Sequence, residues 1–242
     1  MKKLISIFLV AIVYGCGQSI SPVDQGLIDQ VMHIGNGSEP QGLDPHVVTG
    51  VPEHHLLITM CEGLTVSNPA GGANLPGMAE SWEISEDGKT YIFNIRKDAV
   101  WSNGDEFVAE DIVWSWMRVL TPSLGSQYPD MLYYVEGAED YNTGKIKDFS
   151  KVGVKALDNK TLQVNLNNPT PFFLGLLSHY STWPVHKETV LAFGEIDGTG
   201  ILGSPSVYCP RFLCPICCIA NCCTSSLYLP LYKLYISVGP FK

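Results

Sequence analysis

Between Trp82 and Arg118 the apolar positions change period, and the change predicts two strands followed by a helix. Trp82-Glu83-Ile84 alternates, and Tyr91, Phe93 and Ile95 alternate with Ile92, Asn94 and Arg96. Glu86-Asp87-Gly88-Lys89 lies between the two runs with Asp-Gly at its centre, the chemistry of a tight hairpin turn. After Trp101 a second turn, Ser102-Asn103-Gly104-Asp105, precedes a stretch from Ala109 to Leu120 in which Ile112, Val113, Trp116 and Leu120 share one helical face. Thr121-Pro122 stops that helix, and Glu110 and Asp111 sit at the positive end of its dipole. Pattern alone fits a packed hairpin and helix in any α/β domain.

The rest of the chain reads less sharply. Val31-Met32-His33-Ile34 predicts a short strand, and Asn36-Gly37, Glu39-Pro40 and Asp44-Pro45 mark irregular chain after it. His54 to Glu62 predicts a buried helix ending at Gly63. Residues 121–151, with Pro122, Gly125, Pro129, Gly137 and Gly144, form a long crossing segment in which the pattern places no helix. Val152 to Leu157 and Thr161 to Asn167 predict two strands around Asp158-Asn159-Lys160, with Leu162, Val164 and Leu166 on one face. Pro169 and Pro171 break the run, and Phe172 to Leu177 reads as the start of a buried helix.

Composition changes the picture at both ends. The chain has 242 residues, 45% hydrophobic and 16% charged, a globular balance large enough for a sizeable core. Its net charge of −9, with no basic stripe, argues against a nucleic-acid partner. Residues 1–15 read as a targeting segment, with Lys2 and Lys3 ahead of an apolar run from Leu4 to Val13 too short to span a bilayer. One reading is an ordinary secretory leader. The sharper one takes Val13-Tyr14-Gly15-Cys16 as resembling a lipobox, with Cys16 lipidated, residues 16–30 as a tether and the protein held on the membrane of the cell envelope. Residues 201–242 contain no Asp or Glu, although 24 acids precede them, and six of the eight cysteines, Cys209 to Cys223, crowd there. The expected cause is a shifted reading frame or rearranged gene end.

Candidate chemistry is sparse. Cys214 and Cys217 make one C-x-x-C, but no second pair stands at ribbon-like spacing, and Pro210 and Pro215 interrupt the region. Phe212 to Tyr232 carries no charge for 21 residues, yet its prolines break a spanning helix. His54-His55 beside Glu53 lacks the H-E-x-x-H arrangement and reads as structural. Cys61 reads as a buried small residue, and Trp82, Trp101, Trp114 and Trp116 as core. No nucleophile elbow, phosphate loop or nucleotide fingerprint occurs, so neither cofactor nor covalent chemistry is expected. Gly50-Val51-Pro52 and Tyr128 read as loop residues, where backbone groups stay free to bind.

The order of residues is more specific than their pattern. Pro76-Gly77-Met78-Ala79-Glu80-Ser81-Trp82, the run from Asp87 through Arg96-Lys97-Asp98 to Trp101-Ser102-Asn103-Gly104-Asp105, and Ala109-Glu110-Asp111 leading to Ser115-Trp116-Met117-Arg118 resemble the signature of the periplasmic oligopeptide-binding proteins, extracellular solute-binding proteins that feed peptide ABC importers. The resemblance continues through Leu43-Asp44-Pro45-His46, Gly50-Val51-Pro52-Glu53, Cys61-Glu62-Gly63-Leu64 and Pro169-Thr170-Pro171-Phe172-Phe173, and covers roughly residues 30–194.

It implies an α/β, periplasmic-binding-protein-like bilobal fold (cluster C, type II), here truncated before the third lobe. Residues 31–48 would begin lobe I, 49–168 would form lobe II, and 169–200 would return toward lobe I. It implies short peptides as ligands, permease and ATPase subunits as partners, a monomer and no enzyme activity. Thr49, Gly50, Val51 and Tyr128 are the peptide-binding positions it points to, and a chain lacking the third lobe would bind weakly or not at all. Other readings stay open: a surface interaction lipoprotein without transport, a cysteine-rich metal or redox module, or a relative preferring dipeptides, nickel chelates or haem. Val108 stands where relatives carry a helix-capping Thr, a loss of about 1 kcal/mol.

Overall fold

The computed structural model describes residues 31–38, 40–193 and 233–237, with isolated positions at 20, 21, 24, 25 and 28. In chain order its elements are β1 (Val31–Gly35), α1 (Val51–Met60), β2 (Thr65–Val66), β3 (Leu75–Pro76), β4 (Ala79–Ile84), β5 (Thr90–Ile95), α2 (Ala109–Leu120), α3 (Ala138–Asn142), β6 (Val154–Ala156), β7 (Thr161–Asn165), α4 (Phe173–Leu176), α5 (Lys187–Phe193) and β8 (Lys233–Ser237). Short 3-10 turns lie at Pro122–Leu124, Pro129–Leu132, Phe149–Lys151 and Tyr180–Thr182. The hairpin and the following helix form where the apolar periods place them. Gly88 supplies the positive φ, +69°, that the hairpin turn requires.

The main sheet is antiparallel in the order β4-β5-β7-β6. Register pairs Trp82 with Phe93, Phe93 with Leu162, Tyr91 with Val164 and Val164 with Val154, so alternate residues of four strands stack on one face. Helix α2 lays Ile112, Trp116, Val119 and Leu120 against that face, and the buried Tyr91, Phe93, Ile95, Leu162 and Val164 complete the core. Trp101 and Trp116 are fully buried as expected, whereas Trp82 and Trp114 are half-buried. Strand β6 starts two residues later than expected and stops at Ala156, and β7 starts at Thr161 as expected but ends at Asn165 rather than Asn167. Phe172, expected inside, is exposed, and Phe173 takes the core position.

Val108 offers no side-chain cap to α2, and other groups do that work. Asp111 Oδ2 accepts the Val108 N–H at 2.9 Å and the Trp101 indole N–H at 3.0 Å, while the Asn159 carbonyl accepts the Ala109 N–H at 2.8 Å. The turn between β6 and β7 therefore closes the helix start, which offsets the missing threonine.

The chain then returns across α2. Trp116 Nε1 donates to the Thr182 carbonyl at 2.9 Å, and Ser115 Oγ accepts the Val185 N–H at 3.0 Å. His186 caps α5 by accepting the Thr189 N–H at Nδ1, and its Nε2 lies 3.1 Å from Asp105 Oδ2. This return packs a second, smaller cluster of Val48, Leu57, Tyr180 and Trp183, with Met60, Cys61 and Tyr128 against it. Cys61 is half-buried and disulfide-bonded rather than a free buried thiol.

A Cβ at Gly63 would run into the Trp183 indole and the Leu177 carbonyl. We expect Gly63→Ala to destabilise the chain by about 1–3 kcal/mol through overpacking, read as a lower urea midpoint. An unchanged midpoint would show that the return segment is not tightly seated.

β1 and β8 pair in parallel, from Val31 opposite Lys233 to Gly35 opposite Ser237. Five residues of the acid-free tail thus lie beside the first strand. The cysteine cluster at 209–223, the charge-free run at 212–232 and the targeting segment with Cys16 lie outside the described residues.

Candidate functional site

The site begins with a buried charge cluster beneath it. Asp44 Oδ1 accepts the His46 N–H at 3.0 Å, and the Asp44 carbonyl accepts the N–H groups of Val47 and Val48, a local turn that Pro45 is shaped to enter. Arg118, in the last turn of α2, reaches across as a fork, with Nη1 and Nη2 donating to the two Asp44 oxygens at 3.1 and 2.6 Å. Nη1 also lies 2.9 Å from His46 Nδ1, and His46 Nε2 is 2.8 Å from the Trp183 carbonyl. A guanidinium can only donate, so Nδ1 is the acceptor and the imidazole carries its proton on Nε2.

Burial, reinforced by the Arg118 charge, holds the His46 pKa down at about 4. Burial alone would raise Asp44, but the Arg118 hydrogen bond and the neighbouring charges outweigh it and hold its carboxyl below the usual range. The cluster ties α2, the Asp44–His46 turn and the return segment to one another. It thereby fixes the surface segment that follows.

That segment is Val48 to Val51. Gly50 is extended, with φ −88° and ψ 158°, and caps α1 without a side chain. Tyr128 Oη donates to the Thr49 carbonyl at 3.4 Å, and Tyr180 Oη donates to the Val48 carbonyl at 3.3 Å. Among the described residues, the backbone N–H groups of Thr49, Gly50 and Val51 have no acceptor within the chain. Thr49 and Val51 are exposed and Gly50 is half-buried, so the three donors lie at the surface.

Beneath them Glu53 is only 3% exposed, with Oε1 accepting the Gln41 N–H at 2.6 Å and Oε2 without a partner among the described residues. The Glu53 carboxylate lies where a Cβ on residue 50 would be, which explains a glycine at an ordinary φ.

Aromatic and imidazole rings border the segment. His179 stacks on Tyr180 with centroids 4.2 Å apart, Tyr128 meets His179 edge-on at 5.2 Å, and His54 lies 5.6 Å from Tyr180. Burial pushes the Tyr180 hydroxyl up to about 12, helped by Tyr128 and Glu53, so it remains a protonated donor. His54 is lowered by burial and by the neighbouring His55, and His179 by burial and by His54.

The predicted residues Thr49, Gly50, Val51 and Tyr128 are therefore brought together, with Tyr128 bonded directly to Thr49. The expectation that Gly50-Val51-Pro52 is loop needs correction: only Gly50 lies outside the helix, and α1 starts at Val51 rather than His54. Pro52 sits in the first turn, where its fixed φ suits a helix and its missing N–H costs nothing. The helix ends at Met60, before the expected Gly63, and it is buried on one side only, with Val51 66% and Ile58 49% exposed.

Sequence reasoning passed over Arg118, Asp44, His46, Glu53, His179 and Tyr180. An arginine inside an otherwise apolar helix face was the signal available for the buried pair. Nothing local marked its partner 74 residues away. His54 and His55 join no metal set: among the described residues no three His, Cys, Asp or Glu side chains could hold an ion.

Comparison with known proteins identifies the family of the chain. Residues 75–204, more than half of the chain, match the family described as bacterial extracellular solute-binding proteins, family 5 middle. The chain is 45% identical over 162 residues to the periplasmic oligopeptide-binding protein OppA of Escherichia coli K12, an alignment covering 66% of this chain and 29% of that protein. The crystal structure of Haemophilus influenzae OppA in complex with the peptide RPPGFSPFR superposes with a TM-score of 0.64 at 41% identity, over 68% of this chain and 32% of that one. The substrate-binding domain of an oligopeptide ABC transporter from Bacillus anthracis superposes with a TM-score of 0.65 at 35% identity, over 68% and 32%.

The chain thus spans about a third of the length of these relatives. The fold is of the periplasmic-binding-protein type, and the family consists of solute-binding proteins, not enzymes. The chain belongs to the bacterial extracellular solute-binding proteins of family 5.

Proposed function

We propose that the chain is part of the substrate-binding component of an oligopeptide ABC importer, with Thr49, Gly50, Val51 and Tyr128 forming one wall of the peptide cleft. The observation that carries this reading is the run of three unpaired backbone N–H groups at Thr49, Gly50 and Val51, held at the surface beside Tyr128. An extended peptide can supply carbonyls to such a run as an added strand does, which gives affinity without demanding a side-chain sequence. In this reading Cys16 carries the lipid that holds the protein on the membrane, permease and ATPase subunits take the peptide onward, and the binding unit is a monomer in the cell envelope. The peptide named in the Haemophilus complex and the ABC transporter named for the Bacillus relative support the ligand class and the partner class.

Magnitudes set the affinity of the 242-residue chain by itself. Three exposed main-chain hydrogen bonds contribute about 1 kcal/mol each, and association costs at least about 4 kcal/mol. That sum alone is unfavourable by about 1 kcal/mol, so the millimolar binding expected here needs about 5 kcal/mol more from apolar peptide side chains buried against Val51 and Tyr128. Titrating alanine-rich tri- to pentapeptides into the isotopically labelled chain should shift the amide signals of Thr49, Gly50 and Val51 and the ring signals of Tyr128. Micromolar affinity would contradict the one-wall account, and shifts confined to residues remote from these four would contradict the site.

A further inference from the structure

Two histidines beside the peptide wall have no role in the reading above. Ser181 donates its backbone N–H to His179 Nδ1 at 3.3 Å, with Ser181 Oγ 2.8 Å away, so the ring proton of His179 is on Nε2. Among the described residues His179 Nε2 has no hydrogen-bond partner, and neither ring nitrogen of His54 has one. Both rings are half-buried and flank Tyr180, whose hydroxyl is committed to the Val48 carbonyl. The site thus presents unused N–H donors and no unused cation.

We propose that His54 and His179 form a subsite for a carboxylate carried by the bound peptide, taken up more strongly as the pH falls from 7.5 to 5.5. This rests on the peptide-cleft reading and specifies the ligand's chemistry at one end of that cleft.

The electrostatics support the geometry. Each imidazole is half-buried and sits near a second histidine, and both effects favour its neutral form in the empty site. A carboxylate between them relieves the repulsion and favours the charged forms, so proton uptake accompanies binding. The sign follows from linkage: affinity for the anion rises as pH falls through the histidine range, while a ligand carboxylate stays ionised above about pH 4.5.

The other charged and titratable groups facing the pair are His55 and Glu53 on α1, Asp130 on the turn after Tyr128, and the hydroxyls of Tyr128 and Tyr180. Asp130 is exposed, and its charge opposes the burial and the His54 charge at His179 as the weakest of the three influences. Glu53 is buried beneath Gly50 with one oxygen on the Gln41 N–H.

Three probes separate the sources of the carboxylate: N-acetyl-Ala-Gln-Ala-amide, the same peptide with Glu in the centre, and N-acetyl-Ala-Gln-Ala with a free C-terminus. Affinities of the 242-residue chain are measured by NMR titration at pH 7.5 and 5.5. The neutral probe should bind alike at both values. At least one carboxylate probe should gain about tenfold at the lower pH, the worth of a charge-assisted hydrogen bond, and which one gains tells side chain from terminus.

His54→Gln and His179→Gln, measured separately, should each bring the ratio of carboxylate to neutral affinity at pH 5.5 back toward one. The inference is overturned if carboxylate and neutral probes respond equally to pH, or if neither variant changes the ratio. It also falls if no probe binds at either pH, and only that outcome removes the peptide-cleft reading with it.

Discussion

Arg118→Met is expected to lower the free energy of unfolding by about 3–5 kcal/mol, the usual consequence of removing one partner from a buried ion pair. The Asp44 carboxylate would keep only the His46 N–H as a partner while remaining buried. The loss is large against the total stability of a small domain, typically about 5–15 kcal/mol, so the variant should show a strongly reduced urea midpoint. The double variant Arg118→Met with Asp44→Leu removes both charges and should recover part of the loss. A single variant that melts with the parent would mean that the pair does not hold the Asp44–His46 turn in place.

The second large effect is a dependence on pH. His46 is 1% exposed, and its pKa is lowered to about 4, whereas in the unfolded chain it returns to about 6.5. Between those values the unfolded chain takes up a proton that the folded chain refuses, so stability falls as the pH drops through the window. The expected loss is about 3 kcal/mol. Asp44, whose carboxyl is also held below its usual range, acts in the same sense but at lower pH, since its contribution is lost only as the pH falls through and below the ordinary carboxylate range. Urea melts at pH 7 and pH 4.5 should show the decline, and His46→Gln should flatten it. A decline of equal size in the variant would assign the effect to other groups, with His54 and His179 the first to test.

How much of this was legible in the sequence depended on the range of the forces involved. The hairpin from Ala79 to Ile95 and the helix from Ala109 to Leu120 are local: period, turn residues and a stop signal sit within a few positions of one another, and they form where expected. The start of α1 was misplaced because Gly50-Val51-Pro52 carries the same residue types whether it turns or begins a helix. Burial of Glu53 and the packing of Leu56 and Leu57 decide between them. The site residues came from the order of residues in known relatives, and their physical setting did not. Tyr128 reaches Thr49 across 79 positions, and Tyr180 reaches Val48 across 132. No periodicity encodes contacts of that span. The capping of α2 by Asn159 is of the same kind, a tertiary hydrogen bond standing in for a missing local one.

The central claim is that the surface from Thr49 to Val51, together with Tyr128, receives the backbone of a peptide. A tripeptide carrying a benzophenone side chain, irradiated at millimolar concentration with the 242-residue chain and mapped by mass spectrometry, tests it most directly. The account predicts labels within residues 49–58, at Tyr128 and within residues 179–183, and competition by unlabelled alanine-rich peptides. Labelling concentrated on the exposed Tyr134 and Phe172 pair, or spread over the sheet without competition, would contradict it.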